Sequence, residues 1–195
     1  MKKLGCLGII LIAVIALVLW ALGKYNSLVR EDETVNNAWA NVESQYQRRA
    51  DLIPNLVETV KGYAEHESET LQNVIEARAK AISVTVDPNN LTQESLNQFQ
   101  QAQGELSSAL GKLLVSVERY PDLKANQNFL ELQSQLEGTE NRVNNARNEF
   151  NEAARNYNTM VRKFPANIVA SIFGFGNKAY FSAAEGAAEA PKVQF

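Results

Sequence analysis

The chain has 195 residues, 45% of them hydrophobic and 21% charged, with 19 Lys+Arg against 22 Asp+Glu and a formal net charge of −3. One Cys and one His exclude a structural zinc site, a disulfide framework and a Cys/His redox centre, and the acidic balance excludes a general nucleic-acid binder, which needs a basic face. Ten Gly and five Pro are too few breakers for a β-sandwich and leave long helices as the expectation.

The first element is apolar throughout. Leu4 to Gly23 carries no ionisable side chain except the Cys6 thiol, and as a helix it spans about 30 Å, the thickness of a bilayer's hydrocarbon core. Ile12 sits near its centre. Trp20 and Tyr25 stand at its far end, where amphipathic rings favour the membrane–water interface. This predicts a transmembrane anchor over 4–23, preceded by a short segment 1–3. A cleaved signal peptide ending at Ala21-Leu22-Gly23 is the competing reading, but the apolar run exceeds the usual length of about 7–15 residues and continues into helix-forming sequence. A lipid-modified Cys6 is disfavoured because no apolar stretch precedes it. Lys2, Lys3 and the terminal amine ahead of the span, against Lys24 and Arg30 after it, favour a cytoplasmic N-terminus and an extracytoplasmic main domain.

The residues beyond the anchor suffice for one domain with a core. All five prolines (Pro54, Pro88, Pro121, Pro165, Pro191) fall between or at the ends of periodic stretches, where a residue lacking an N–H belongs. The first stretch, 26–50, spaces Val35, Trp39, Val42, Tyr46 and Arg49 by four and three, a coiled-coil-like seam. The second, 54–83, repeats it with Leu56, Val60, Tyr63, Glu67, Leu71, Val74, Arg78 and Ile82. Pro54 then lies in the first turn; a kinked helix continuous through Pro54 is the alternative. Asp87-Pro88-Asn89-Asn90 predicts a loop, and Asn90 with Gln93 has capping-box spacing. The third stretch, 92–120, carries Leu96, Phe99, Gln103, Leu106, Leu110, Leu113 and Val117, and Pro121 stops it. The fourth, 126–164, carries Phe129, Leu132, Leu136, Thr139, Val143, Ala146, Phe150, Ala153, Tyr157, Met160 and Phe164. The predicted fold class is all-α: an N-terminal transmembrane helix followed by an elongated antiparallel four-helix bundle over 24–164.

Chemistry is sparse. His66, between Glu65 and Glu67, is the one imidazole; there is no HExxH, no phosphate-cradling loop and no nucleophile motif. No catalytic, metal or cofactor-binding residue is therefore assigned, and neither a cofactor, a small-molecule substrate nor nucleic acid is expected. Arg49, Glu67 and Arg78 interrupt apolar seams. A lone buried charge is costly, so they are expected to form a buried Arg–Glu–Arg group fixing the register of the first two helices, or else to snorkel at the rim. Glu140, Asn144, Arg147, Asn151, Arg155 and Asn158 make a polar line on the fourth helix. It is either a solvated or intrabundle face or a lateral surface where bundles meet. The tail over 165–182 is apolar and aromatic, with Phe164, Pro165, Phe173 and Phe175 as candidate contacts. It either folds back on the bundle end or presents a patch to a partner or membrane surface. Residues 183–195 are expected to be disordered.

One set of spacings is specific enough to suggest a family. Gln45-x3-Arg49-x-Asp51-Leu52-Ile53-Pro54-Asn55-Leu56, then His66-Glu67 and Ala77-Arg78, open it. Glu140-x-Arg142-Val143-x2-Ala146-Arg147-x2-Phe150-Asn151, Tyr157-Asn158, Phe164-Pro165 and Phe173-Gly174-Phe175 follow. This pattern, over nearly the whole chain, resembles the LemA family of bacterial membrane proteins; Phe150 stands where that family often shows Tyr. The resemblance implies one span in the bacterial cell (inner) membrane, an antiparallel four-helix bundle and no established reaction. It also implies links to magnetosome membranes and to genes neighbouring membrane zinc metallopeptidases. The function expected is a non-enzymatic scaffold that contacts the lipid bilayer and self-associates as a homo-oligomer. The alternative is an adaptor for a membrane zinc metallopeptidase or other envelope complex.

Overall fold

The computed structural model describes residues 2–64 and 67–182, with side chains from Gly8 onward. His66 and the segment 183–195 lie outside the described residues, so the expectations placed on them have no structural counterpart. The elements are α1 (Lys2–Lys61), α2 (Ser68–Ser83), a 3-10 turn (Pro88–Asn90), α3 (Gln93–Val117), α4 (Pro121–Lys124), α5 (Gln127–Arg162) and α6 (Ala166–Phe173). The described residues contain no strand. The chain is all-helical, with one long apolar helix at its N-terminus.

Pro54 does not end a helix. The expected break between helices 26–50 and 54–83 is absent: α1 continues through Pro54 to Lys61, and the second helix is confined to Ser68–Ser83. A proline inside a helix removes the N–H that should bond the carbonyl four residues back, a cost of about 3 kcal/mol with the accompanying clash. That carbonyl belongs to Ala50, and Arg78 Nε donates to it at 2.8 Å. An external donor thus replaces the missing one. The break falls instead at Gly62, where the N–H groups of Gly62 and Ala64 close the last turn on Glu58 and Val60.

Local signals set the other ends. Thr92, rather than Asn90, caps α3, its hydroxyl accepting the Ser95 N–H at 3.1 Å. Pro121 opens α4 at a position where its missing N–H is no loss. Asn126 Oδ1 accepts the Phe129 N–H at 3.1 Å and so starts α5. The Phe164–Pro165 bond is cis.

The residues group into two compact units. Of the described residues, the first holds those within Met1–Arg49, Asp87–Asn90 and Gly138–Lys178; the second holds those within Ala50–Val86, Leu91–Glu137 and Ala179–Ser182. In the first, the seam residues Leu28, Val35, Trp39 and Val42 of α1 and Val143, Ala146, Phe150 and Tyr157 of α5 are all buried. Trp39 and Phe150 meet edge-on, ring centroids 5.4 Å apart, a geometry worth about 1 kcal/mol beyond area burial. In the second, one core joins Ile53, Leu56 and Val60 of α1 to Leu71 and Val74 of α2. Leu106, Leu110 and Leu113 of α3, Leu123 of α4 and Phe129 and Leu136 of α5 complete it. Three expected seam residues are instead exposed: Tyr63, Ile82 and Phe164. Each stands at or near a helix end, where the chain turns away and the period no longer selects a neighbour.

Candidate functional site

The three seam charges all find partners, and not each other. Arg49 is 3% exposed; its Nη1 donates to Glu140 Oε2 at 3.0 Å and its guanidinium lies 5.0 Å from the Tyr46 ring centroid. Burial pushes the Tyr46 hydroxyl pKa up, while the positive charges of Arg147 and Arg49 oppose that rise. Glu67, also buried, accepts from Arg119 Nη2 at 2.7 Å and from the Tyr120 hydroxyl at 3.0 Å. Loss of hydration, and then the bond to Glu67, raise the Tyr120 pKa. Arg78 serves the Ala50 carbonyl. The expected Arg–Glu–Arg group is therefore replaced by three separate arrangements. The physical reason is that helical spacing fixes which face a charge occupies but not which element supplies its counter-charge.

The polar line of α5 divides in the same way. Glu140 goes to Arg49, Arg147 hydrogen-bonds the Tyr46 side chain, and Asn158 is buried. Asn151 is half-buried, whereas Asn144 and Arg155 are exposed and, among the described residues, their side chains meet no inward partner. Asn158 holds the tail in place of a second backbone: its Oδ1 accepts the Lys178 N–H and its Nδ2 donates to the Lys178 carbonyl, both at 2.8 Å.

Lys178 is the residue that sequence reasoning missed. It is 7% exposed, its Nζ reaching Asp32 Oδ1 and the Pro88 carbonyl at 2.9 Å each and lying 5.7 Å from the Tyr157 ring centroid. Burial, followed by the nearby Asp32 carboxylate, pushes the Tyr157 hydroxyl up to about 12. A signal was present: Lys178 is the one charged residue between Pro165 and Ser182. A cation in a segment this apolar needs a counter-charge once that segment docks.

The tail divides between packing and exposure. Ala166, Val169 and Ala170 of α6 are buried, whereas Ile168 (50%), Ile172 (71%) and Phe173 (56%), with Phe164 (75%) just ahead, are exposed. Gly174 closes the helix at φ 76°, a conformation that favours glycine, and lets the Phe175 N–H reach the Ala170 carbonyl at 2.9 Å. The chain then turns so that Phe173 and Phe175 both meet the Tyr25 ring of α1, one tilted and one edge-on, with centroids 4.8 and 5.7 Å away. Pro165 is half-buried.

Ile9 to Leu19 of α1 leave every large apolar side chain exposed, and the most apolar stretch has a mean hydropathy of 2.2. Among the described residues no group of three or more His, Cys, Asp or Glu is placed to hold a metal ion. The buried charges are engaged with fixed partners, an arrangement that holds helices and a tail together.

An all-helical protein with one apolar helix compatible with a single-pass membrane anchor is the class these features define. Residues 38–195 match the model of the LemA family, and the chain belongs to that family. It is similar to Protein LemA of Metamycoplasma hominis, 26% identical over 164 residues that cover 84% of this chain and 71% of the relative. It is equally similar to Magnetosome protein MamQ of Magnetospirillum gryphiswaldense, 26% identical over 194 residues, covering 90% of this chain and 71% of the relative. Magnetosome protein MamQ 2 of Paramagnetospirillum magneticum is 26% identical over 189 residues, covering 87% and 69%. Membership of the family and likeness to these relatives fit a membrane-associated protein.

Proposed function

We propose that the protein is a non-enzymatic scaffold: a four-helix bundle anchored in the bacterial cell membrane by α1, which acts by self-association in the membrane plane. What carries the reading is the use to which its charged groups are put. Catalytic acids and bases stand in a cleft with unsatisfied chemistry, whereas Arg49, Glu67 and Lys178 are each locked to structural partners. The likeness to magnetosome proteins, named for a membrane-bounded compartment, supports a role at a membrane.

The self-association face is the part of the α5 polar line left free for an outside partner, Asn144 and Arg155. Polar side chains at such positions give contacts that hydrogen-bond across a seam without forming a greasy patch. The test is disulfide cross-linking in native membranes of a chain carrying Cys6→Ser and Asn144→Cys at physiological expression. A covalent homodimer is expected. A strictly monomeric product would end the proposal, and a single cross-linked partner of different mass would replace it with the adaptor reading.

A further inference from the structure

We infer that the exposed face of α6 is a second membrane contact, a short interfacial helix whose Ile168, Ile172 and Phe173 enter the headgroup region of the bilayer that α1 crosses. The inference rests on reading α1 as a membrane anchor and adds a site that the span alone does not imply.

Exposure along α1 changes at one level. From Gly8 to Trp20 every residue is exposed; at Ala21, Lys24, Tyr25 and Leu28 one helical face begins to be covered by protein. The boundary between lipid-facing and protein-facing helix therefore lies between Trp20 and Tyr25, which are about 7.5 Å apart along the axis. Tyr25 is the residue whose ring Phe173 and Phe175 both contact. Their contact fixes the end of α6 at the level where the anchor emerges, which is the interface favoured by aromatic rings.

The chemistry of the α6 surface matches that level. Its inward side, Ala166, Val169 and Ala170, is spent on packing; its outward side sets Ile168 and Ile172 one turn apart, continues at Phe173 and is preceded by Phe164, all at least half exposed. Four large apolar side chains in so short a stretch make an uncommon surface for a water-facing helix. From Lys163 to Ser182 there is no carboxylate, and exposed Lys163 adjoins Phe164, so nothing in the segment repels an anionic lipid surface. A second copy of the chain could also cover an apolar face, but it would not explain why that face sits at the end of the membrane span. The bilayer does.

The full-length protein, with Cys6→Ser and single cysteines at Ile12, Ile172 or Val115, is spin-labelled and reconstituted in vesicles of equal parts phosphatidylcholine and phosphatidylglycerol. Collision with oxygen, which partitions into lipid, is compared with collision with a water-soluble nickel chelate. Val115 of α3 is exposed and serves as the aqueous reference. The expected result is that labels at both Ile12 and Ile172 favour oxygen several-fold over Val115, with Ile172 the shallower of the two. A lipid-like Ile12 with an aqueous Ile172 would overturn this inference alone. An aqueous Ile12 would overturn the anchor reading and this inference together. Strong spin–spin broadening at Ile172 that disappears on dilution with unlabelled protein would assign the face to a second copy instead.

Discussion

At the scale of single residues, the two members of the Arg49–Glu140 pair are not equivalent. The arginine side chain is 3% exposed and the glutamate 50%. Removing the glutamate charge leaves a cation that water cannot reach well; removing the arginine leaves a carboxylate that water can rehydrate. Glu140→Gln is therefore expected to destabilise the fold by about 1–3 kcal/mol, and Arg49→Met, which fills a similar volume, by less. Denaturant unfolding of the detergent-solubilised protein followed by circular dichroism measures both. An Arg49→Met variant as costly as Glu140→Gln would show that the stacking on Tyr46, not the charge pairing, dominates. That Arg49 must be satisfied was legible in the sequence, because it occupies a seam position. That Glu140 satisfies it was not: the two are 91 positions apart and no local period connects them.

Among elements, the long helix α1 is explained by a residue from another helix. Pro54 withholds a donor from the Ala50 carbonyl, and Arg78 of α2 supplies one. The two side chains should then be energetically coupled although they do not bond each other. Arg78→Met alone leaves a carbonyl on a buried residue without its substitute donor, at a cost of about 1–2 kcal/mol. In a Pro54→Ala background the restored N–H takes that carbonyl, and the cost of Arg78→Met should fall by at least about 0.5 kcal/mol. A double-mutant cycle reads the difference directly, and strictly additive effects would refute the substitution of donors. Sequence reasoning placed Pro54 at a boundary because the rule against internal proline assumes that nothing outside the helix repairs the ladder. Here something does. The helical class, the long apolar N-terminal helix and the faces of the long seams were legible, the apolar helix from an unbroken run of composition and the seams from a repeated local spacing, as with Val35, Trp39 and Val42. The division of the α5 polar line was not, since Asn144 and Asn158 share one flank yet only Asn158 meets the tail. Lys178 was overlooked because its role exists only after that tail has docked.

For the whole molecule, the distribution of charge about the apolar helix, read as a membrane anchor, yields a prediction of orientation. Lys2 and Lys3 lie together ahead of the span; Lys24 and Arg30 follow it, separated by more than a turn of α1 and succeeded by Glu31, Asp32 and Glu33. Beyond Gly23 the chain holds 17 basic and 22 acidic residues. Basic residues close to a span resist translocation, so the compact Lys2–Lys3 pair is expected to stay in the cytoplasm while the acidic helical part lies outside. Asn89 is a suitable reporter. It is exposed in the 3-10 turn, and its backbone N–H to Asp87 Oδ1, 2.9 Å, survives a change of side chain. In spheroplasts expressing the chain with Cys6→Ser and Asn89→Cys, an impermeant maleimide is expected to label the protein fully before permeabilisation. Labelling only after permeabilisation would place the helical part, and with it the α6 face, on the cytoplasmic leaflet. That outcome would weigh the anionic lipids of that leaflet, rather than apolar burial alone, in whatever holds α6 at the membrane.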